Sequence, residues 1–146
     1  MLLSIRQPEV EALLTHYIRR VRAIVSESVG VSARMFLDRI TPVMADLAVD
    51  ILAREAPVIS GVSKTKAKVH LNRAQTAVLD MILPEKVPAG RDADHHGIFE
   101  NLPLGEAWGL LRLSGHRSRL RKALLARLRE ETKRMLQECA RDVRRC

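Results

Sequence analysis

Aromatic side chains are scarce in this chain. They make up 3% of the 146 residues, whereas apolar residues make up 47%. A core must therefore be built from Leu, Ile, Val, Ala and Met, and this composition favours helices over sheets. The sequence predicts an all-α fold.

Cysteines and long apolar runs are also scarce. The only cysteines are Cys139 and Cys146, which excludes a disulfide framework and fits a reduced, intracellular setting. No apolar run approaches the ~18 residues of a membrane span. No catalytic triad, paired carboxylates or phosphate loop is visible, so we expect no enzyme and no cofactor. Adjacent His95 and His96 cannot easily bind one ion, so we expect no metal site.

Positive charge is abundant and unevenly placed. The net charge is +8, which points to a polyanionic partner such as nucleic acid or an anionic membrane surface. Residues 1–111 hold 13 basic and 13 acidic residues, whereas residues 112–146 hold 12 basic and 4 acidic residues. The C-terminal segment therefore carries the whole excess.

The longest apolar stripe runs from Ser32 to about Ile59. Its apolar residues recur mostly at three- and four-residue steps, which is typical of an amphipathic helix with a broad buried face. Pro42 interrupts this pattern, because an interior proline removes a hydrogen bond and clashes one turn back. Either the helix kinks at Pro42, or a new helix begins there with Thr41 as its N-cap. The continuous stripe favours one kinked helix.

Shorter helices are expected on both sides of this long one. The first runs from Pro8 to about Ser28, and the third from about Leu71 to Leu83 after a basic loop at Ser60–Lys68. A basic helix over 116–144 has a narrow apolar stripe: Leu120, Leu124, Leu128, Met135, Cys139 and Val143. We expect an N-terminal extension at 1–16, a three-helix unit at 17–84, a connector at 85–115 and the basic helix at 116–146. Three helices cannot bury the long stripe on both sides, so the pattern calls for a covering partner.

Several strings in this order resemble a known family. They are Tyr17–Val21, Gly30–Ser32, Lys66–Val69, Gln75–Val78 and the Leu83-Pro84 stop. Together they are similar to a core histone of the 2B type, over about residues 17–87. The chain departs from that family in Pro42, in Lys66 where an arginine is usual, and in about 60 residues after Pro84. Such departures are typical of a divergent histone, for example one encoded by a large DNA virus.

The resemblance implies a histone fold of short, long and short helices with an additional C-terminal basic helix. It also implies a 2A-type histone as heterodimer partner, other core histones in an octamer-like assembly, and double-stranded DNA wrapped without sequence specificity in a nucleosome-like particle. The location would be the nucleus and chromatin of a eukaryote, or a virion and viral factory. No membrane is expected as a partner. The alternative is a histone-fold subunit of a transcription-regulatory complex, and a third hypothesis is a helical adaptor whose basic helix binds RNA or membrane.

The resemblance also assigns roles to particular residues. In a head-to-tail dimer, the first loop of one chain lies beside the second loop of the other, and both present basic side chains and N–H groups to phosphates. The expected DNA-binding residues are Arg20, Ser32, Arg34, Lys64, Lys66, Lys68 and Arg73. The expected partner interface is Phe36, Ile40, Val43, Leu47, Ile51, Val78 and Ile82. We expect the stripe of the C-terminal helix to dock on this chain or on a neighbouring histone, with its arginines facing DNA or solvent.

Overall fold

One helix, α2, lies at the centre of the structure. The computed structural model describes residues 8–83 and 116–145, and each regular element in these two ranges is a helix. The helices are α1 (Pro8–Glu27), α2 (Ala33–Ala53), α3 (Ala56–Ile59), α4 (Lys64–Ile82) and α5 (His116–Arg145). The all-α prediction is confirmed. The predicted connector at 85–115 lies outside the described residues.

The packing of the four longer helices produces one core. Helices α1, α4 and α5 each pack against α2, and α5 also packs along α4. Their buried apolar side chains form a single cluster, which includes Tyr17 and Val21 from α1 and Leu71 from α4. The core is therefore continuous through all four helices.

Helix α5 covers the apolar stripe of α2. Its Leu120, Leu124, Leu128 and Met135 are 0–3% exposed, which confirms that the stripe of the C-terminal helix docks, and shows that it docks on its own chain. We expected a partner to bury seven residues of α2 and α4. In the single chain these residues are already 0–6% exposed: Phe36, Ile40, Val43, Leu47, Ile51, Val78 and Ile82. The stripe needs no second chain, because α5 supplies the missing layer.

A serine side chain caps the N-terminus of α2 and another caps that of α4. The hydroxyl oxygen of Ser32 accepts a hydrogen bond from the Met35 amide at 3.2 Å, and that of Ser63 accepts one from the Lys66 amide at 3.3 Å. Each cap satisfies one of the free N–H groups of a first turn. Gly30 and Gly61 precede the caps with φ of 82° and 81°, a conformation that favours glycine.

A single helix runs across Pro42. Pro42 lies inside α2 on its exposed side, whereas the neighbouring Ile40 and Val43 are buried. The Thr41 hydroxyl donates a 2.6 Å hydrogen bond to the Leu37 carbonyl. Burial of the flanking residues offsets the proline, which costs about 3 kcal/mol in a helix interior. The alternative, a new helix that begins with Thr41 as its N-cap, does not form.

The long helix ends earlier than predicted, at Ala53 rather than near Ile59. Arg54 and Glu55 form a turn, and Pro57 then lies in the first turn of α3. Pro57 has no N–H to donate to the Ala53 carbonyl, so the helix cannot continue without losing that hydrogen bond. Glu55 is buried and lies 2.6 Å from Nε2 of His70, which ties this turn to α4.

The helix that was predicted to begin near Leu71 is α4, and it begins earlier, at Lys64. The prediction of a basic loop at 60–68 is therefore wrong, because only Ser60–Ser63 connect α3 to α4. Ser63 caps the helix, and Ala67 lies one turn before Leu71 on the same buried face. As a result, α1, α2 and α4 have 20, 21 and 19 residues, in place of the expected short, long and short helices.

A partly buried hydrogen bond joins α1 to α2. The Tyr17 hydroxyl donates to Oδ2 of Asp50, and the ring is only 3% exposed. Burial raises the pKa of Tyr17 well above its usual value of 10.0, and the hydrogen bond to the Asp50 carboxylate raises it further. Tyr17 therefore stays protonated while the fold is intact.

Docking of α5 can be tested with Leu124→Ala. This change removes a side chain that is 0% exposed, and we expect it to lower the free energy of unfolding by about 2–5 kcal/mol. Denaturant titration followed by circular dichroism measures the loss. Val69→Ala is the control, because Val69 is 47% exposed on α4 and its loss should cost under about 0.5 kcal/mol. Equal effects of the two changes would contradict the docking.

The Tyr17–Asp50 contact can be tested by alkaline titration, because Tyr17 is the single tyrosine. Its pKa is higher in the folded state than in the unfolded state, so its contribution to stability is complete below the unfolded pKa and is lost as pH rises above it. We expect tyrosinate absorbance to appear together with the loss of helical circular dichroism. Ordinary titration near pH 10 in a fully helical protein would contradict the buried contact.

Candidate nucleic-acid interface

Five of the seven predicted DNA-binding residues fall into two groups at opposite ends of α2. Ser32 and Arg34 lie at its start, whereas Lys64, Lys66 and Lys68 follow α3 beyond its end. A helix of 21 residues is about 30 Å long. One chain therefore does not bring the two groups together, although a head-to-tail second chain could.

The predicted basic residues of α4 form the largest set: three lysines in its first two turns and Arg73 near its middle. Lys64, Lys66, Lys68 and Arg73 are all exposed. Within residues 8–83 and 116–145, none of them takes part in an ion pair. The first turn of α4 also has no acidic residue. Lysines at a helix N-terminus are opposed by the helix dipole, so this end of α4 holds positive charge that the described protein does not neutralise.

The group at the start of α2 is smaller. Ser32 uses its hydroxyl oxygen to cap the helix, so its first role is structural. Arg34 is exposed, and no acidic residue lies in this first turn. The group thus offers one guanidinium beside the N–H groups of a helix terminus, which is an arrangement that suits an anion.

Arg20 is held by contacts inside the protein. Its guanidinium lies 3.6 Å from Oδ2 of Asp46 and 5.2 Å from the centre of the Tyr17 ring. The side chain is still 40% exposed, and such a pair is worth little to stability. Arg20 is therefore a weaker candidate than the lysines of α4, because any phosphate must compete with Asp46.

Contacts along α5 show how it lies on α4. Arg121 donates to the Leu83 carbonyl at 2.6 Å and to Oδ1 of Asp80 at 3.1 Å. Eleven residues later, the Thr132 hydroxyl donates to Oε1 of Gln75 at 3.3 Å. Residue numbers rise along α5 as they fall along α4, so the two helices are antiparallel.

The basic residues of α5 differ in whether an acid neutralises them. Arg134 forms ion pairs with Glu131 and Glu138, and Arg127 lies 3.9 Å from Glu130. The hydrogen bond to Glu131 raises the pKa of Arg134. By contrast, Arg129 and Lys133 have no ion pair with any described residue.

Sequence reasoning missed this division of α5 into two flanks. A signal was present, because Glu131 and Glu138 are seven residues apart and so share one flank. Arg129 and Lys133 are four residues apart and share another. The prediction that the arginines of α5 face DNA or solvent did not separate the paired from the unpaired ones.

The described residues form neither a cluster of metal ligands nor a membrane-spanning helix. Within residues 8–83 and 116–145, no three His, Cys, Asp or Glu side chains come together as a metal site would require. His95 and His96 lie outside the described residues. None of the described helices is long and apolar enough to cross a membrane.

No protein-family model, no curated protein and no solved structure matches the chain.

Proposed function

We propose that this chain binds double-stranded DNA through the phosphate backbone, without reading the base sequence. The observation that carries the proposal is a set of exposed basic residues on α4: Lys64, Lys66 and Lys68 in its first two turns, and Arg73 near its middle. Four cations without a carboxylate partner in the described part of the chain gain the most from a polyanion. Phosphates would replace the counterions that such a surface otherwise collects.

The chemistry of this surface favours the backbone over the bases. Lysine presents a compact charge on a flexible stem, which suits phosphate but lacks the rigid fork that pairs with guanine. Binding to single strands usually depends on exposed aromatic rings. In the described part of the chain, the aromatic residues Tyr17 and Phe36 are both buried. A duplex therefore fits this surface better than a single strand.

We also propose that the protein acts as a divergent histone of the 2B type, with a 2A-type histone as its partner in a nucleosome-like particle. The support is the resemblance of residues 17–87 and the placing of the two turns, 28–32 and 60–63, at opposite ends of α2. Such pairing uses the same face of α2 that α5 covers. In this proposal the partner replaces α5, so pairing and docking of α5 exclude each other.

The DNA proposal is tested with the double variant Lys64→Gln/Lys66→Gln. We expect weaker duplex binding, and a salt dependence whose slope in log Kd against log salt falls by about 1.8, because each phosphate contact contributes about 0.9. Fluorescence anisotropy of a labelled duplex over a range of salt concentrations measures both quantities. Two duplexes of unrelated sequence should give similar Kd values.

The control removes the same charge from another surface. Arg127→Gln/Arg134→Gln changes the net charge equally, but these arginines are paired with glutamates on α5. We expect a much smaller change in the slope. If both double variants behave alike, the start of α4 is not the contact surface.

The pairing proposal predicts that a 2A-type histone releases α5. Hydrogen exchange of the full chain, alone and with an equimolar 2A-type histone, reports on the amides around Leu124 and Leu128. We expect slow exchange in the isolated chain and much faster exchange in the complex, while α2 stays protected. Unchanged protection of α5 in a complex, or no complex, would contradict this part of the proposal.

A further inference from the structure

An open groove lies between α4 and α5. Its volume is about 410 Å³, and it is lined by Asn72, Gln75, Arg129, Thr132, Lys133 and Leu136. Antiparallel packing of the two helices sets its walls, with amide side chains on α4 and cations on α5. The groove is therefore a product of the docked position of α5.

The lining offers hydrogen-bond donors and no carboxylate. Thr132, which is 5% exposed, donates its hydroxyl to Oε1 of Gln75. With the amide in this orientation, the Gln75 NH₂ group has no hydrogen-bond partner among the described residues. The guanidinium of Arg129 and the ammonium of Lys133 also only donate. An anion with several oxygens is the ligand that this set of groups matches.

The charges in the groove have no ion-pair partner among the described side chains of α5. Arg129 and Lys133 are one turn apart, and like charges at this spacing destabilise a helix. The glutamates that could neutralise them pair with Arg127 and Arg134 on the other flank. A bound phosphate would relieve the repulsion, because the arginine can donate two hydrogen bonds and the lysine supplies a point charge.

We propose that this groove is a second phosphate-binding site, which holds a phosphodiester group of the DNA backbone. The inference rests on the proposed DNA binding, and it concerns the unpaired chain. The contact forms only while α5 is docked, so it is absent wherever a 2A-type partner has replaced α5. The cations of the groove, Arg129 and Lys133, belong to α5, whereas Lys64 and Lys66 belong to α4, so the two sets of charges can be removed separately.

The test is duplex binding by the full-length double variant Arg129→Gln/Lys133→Gln, measured by anisotropy over a range of salt. We expect the Kd to rise about tenfold at low salt, and the slope against log salt to fall by about 1.8. The matched control, Arg127→Gln/Arg134→Gln, removes the same charge from the same helix and should lose less than half as much slope. Gln75→Leu changes no charge, and we expect it to weaken binding about threefold through loss of the amide donor.

The outcomes separate this inference from the proposed function. Equal losses in the two double variants, with wild-type binding intact, would overturn the groove site and leave the DNA proposal standing. No duplex binding by the wild-type chain would overturn the DNA proposal itself. Inorganic tripolyphosphate serves as the competitor. If it binds the wild-type groove while Arg129→Gln/Lys133→Gln leaves DNA affinity unchanged, the site is one for free phosphates, and the backbone contact is wrong.

Circular dichroism and thermal melting of each variant show whether α5 stays folded. Arg129 and Lys133 are exposed, so we expect melting temperatures close to that of the wild type. A reduced DNA affinity with unchanged melting then reports on the groove alone. A large drop in melting temperature would contradict the exposed placement of these two side chains on which the site depends.

Discussion

Burial of the α2 stripe beneath α5 is the contact on which the rest of the structure depends. A long polar helix is marginal in water unless one apolar face packs against other elements. Leu120, Leu124 and Leu128 supply that face, and each fully buried leucine contributes about 1.5–3 kcal/mol. Without α5, the part of α2 that it covers would meet water. Docking therefore stabilises both helices at once, and it sets the antiparallel placement of α5 on α4.

Placement of the charges follows from this packing. The apolar stripes face inward, so the excess of basic residues is left on the outer surfaces of α4 and α5. Acidic residues neutralise one flank of α5 through Arg127 and Arg134. Among residues 8–83 and 116–145, no acidic residue pairs with the lysines at the start of α4 or with Arg129 and Lys133. Positive charge thus stays unpaired at both places within the described structure, and a polyanion is a partner that both favour.

Periodicity and capping residues predicted much of the fold. They failed for the start of α4 and for the element that covers α2. The bounds of α1 and α5 and the start of α2 after Ser32 agree closely with the structure, because proline, serine and glycine act locally. The early start of α4 was missed, since three lysines around Ala67 suggested a loop more than a helix. The cover over α2 was missed for a different reason. An apolar stripe shows that a face is buried, but not whether its own chain or another one buries it. In the candidate site, residue type predicted the lysines of α4, whereas the pairing of each arginine in α5 depends on three-dimensional neighbours.

We propose that a single chain, in which its own helices cover the α2 stripe, binds duplex DNA through the phosphate backbone of the DNA. Sedimentation velocity of the isolated full-length chain, alone and with a short labelled duplex at low and high salt, tests it most directly. We expect a species of 16.4 kDa without DNA, faster sedimentation of the duplex at low salt, and release of the duplex at high salt. A chain that self-associates without DNA, or a duplex whose sedimentation does not change at low salt, would contradict it.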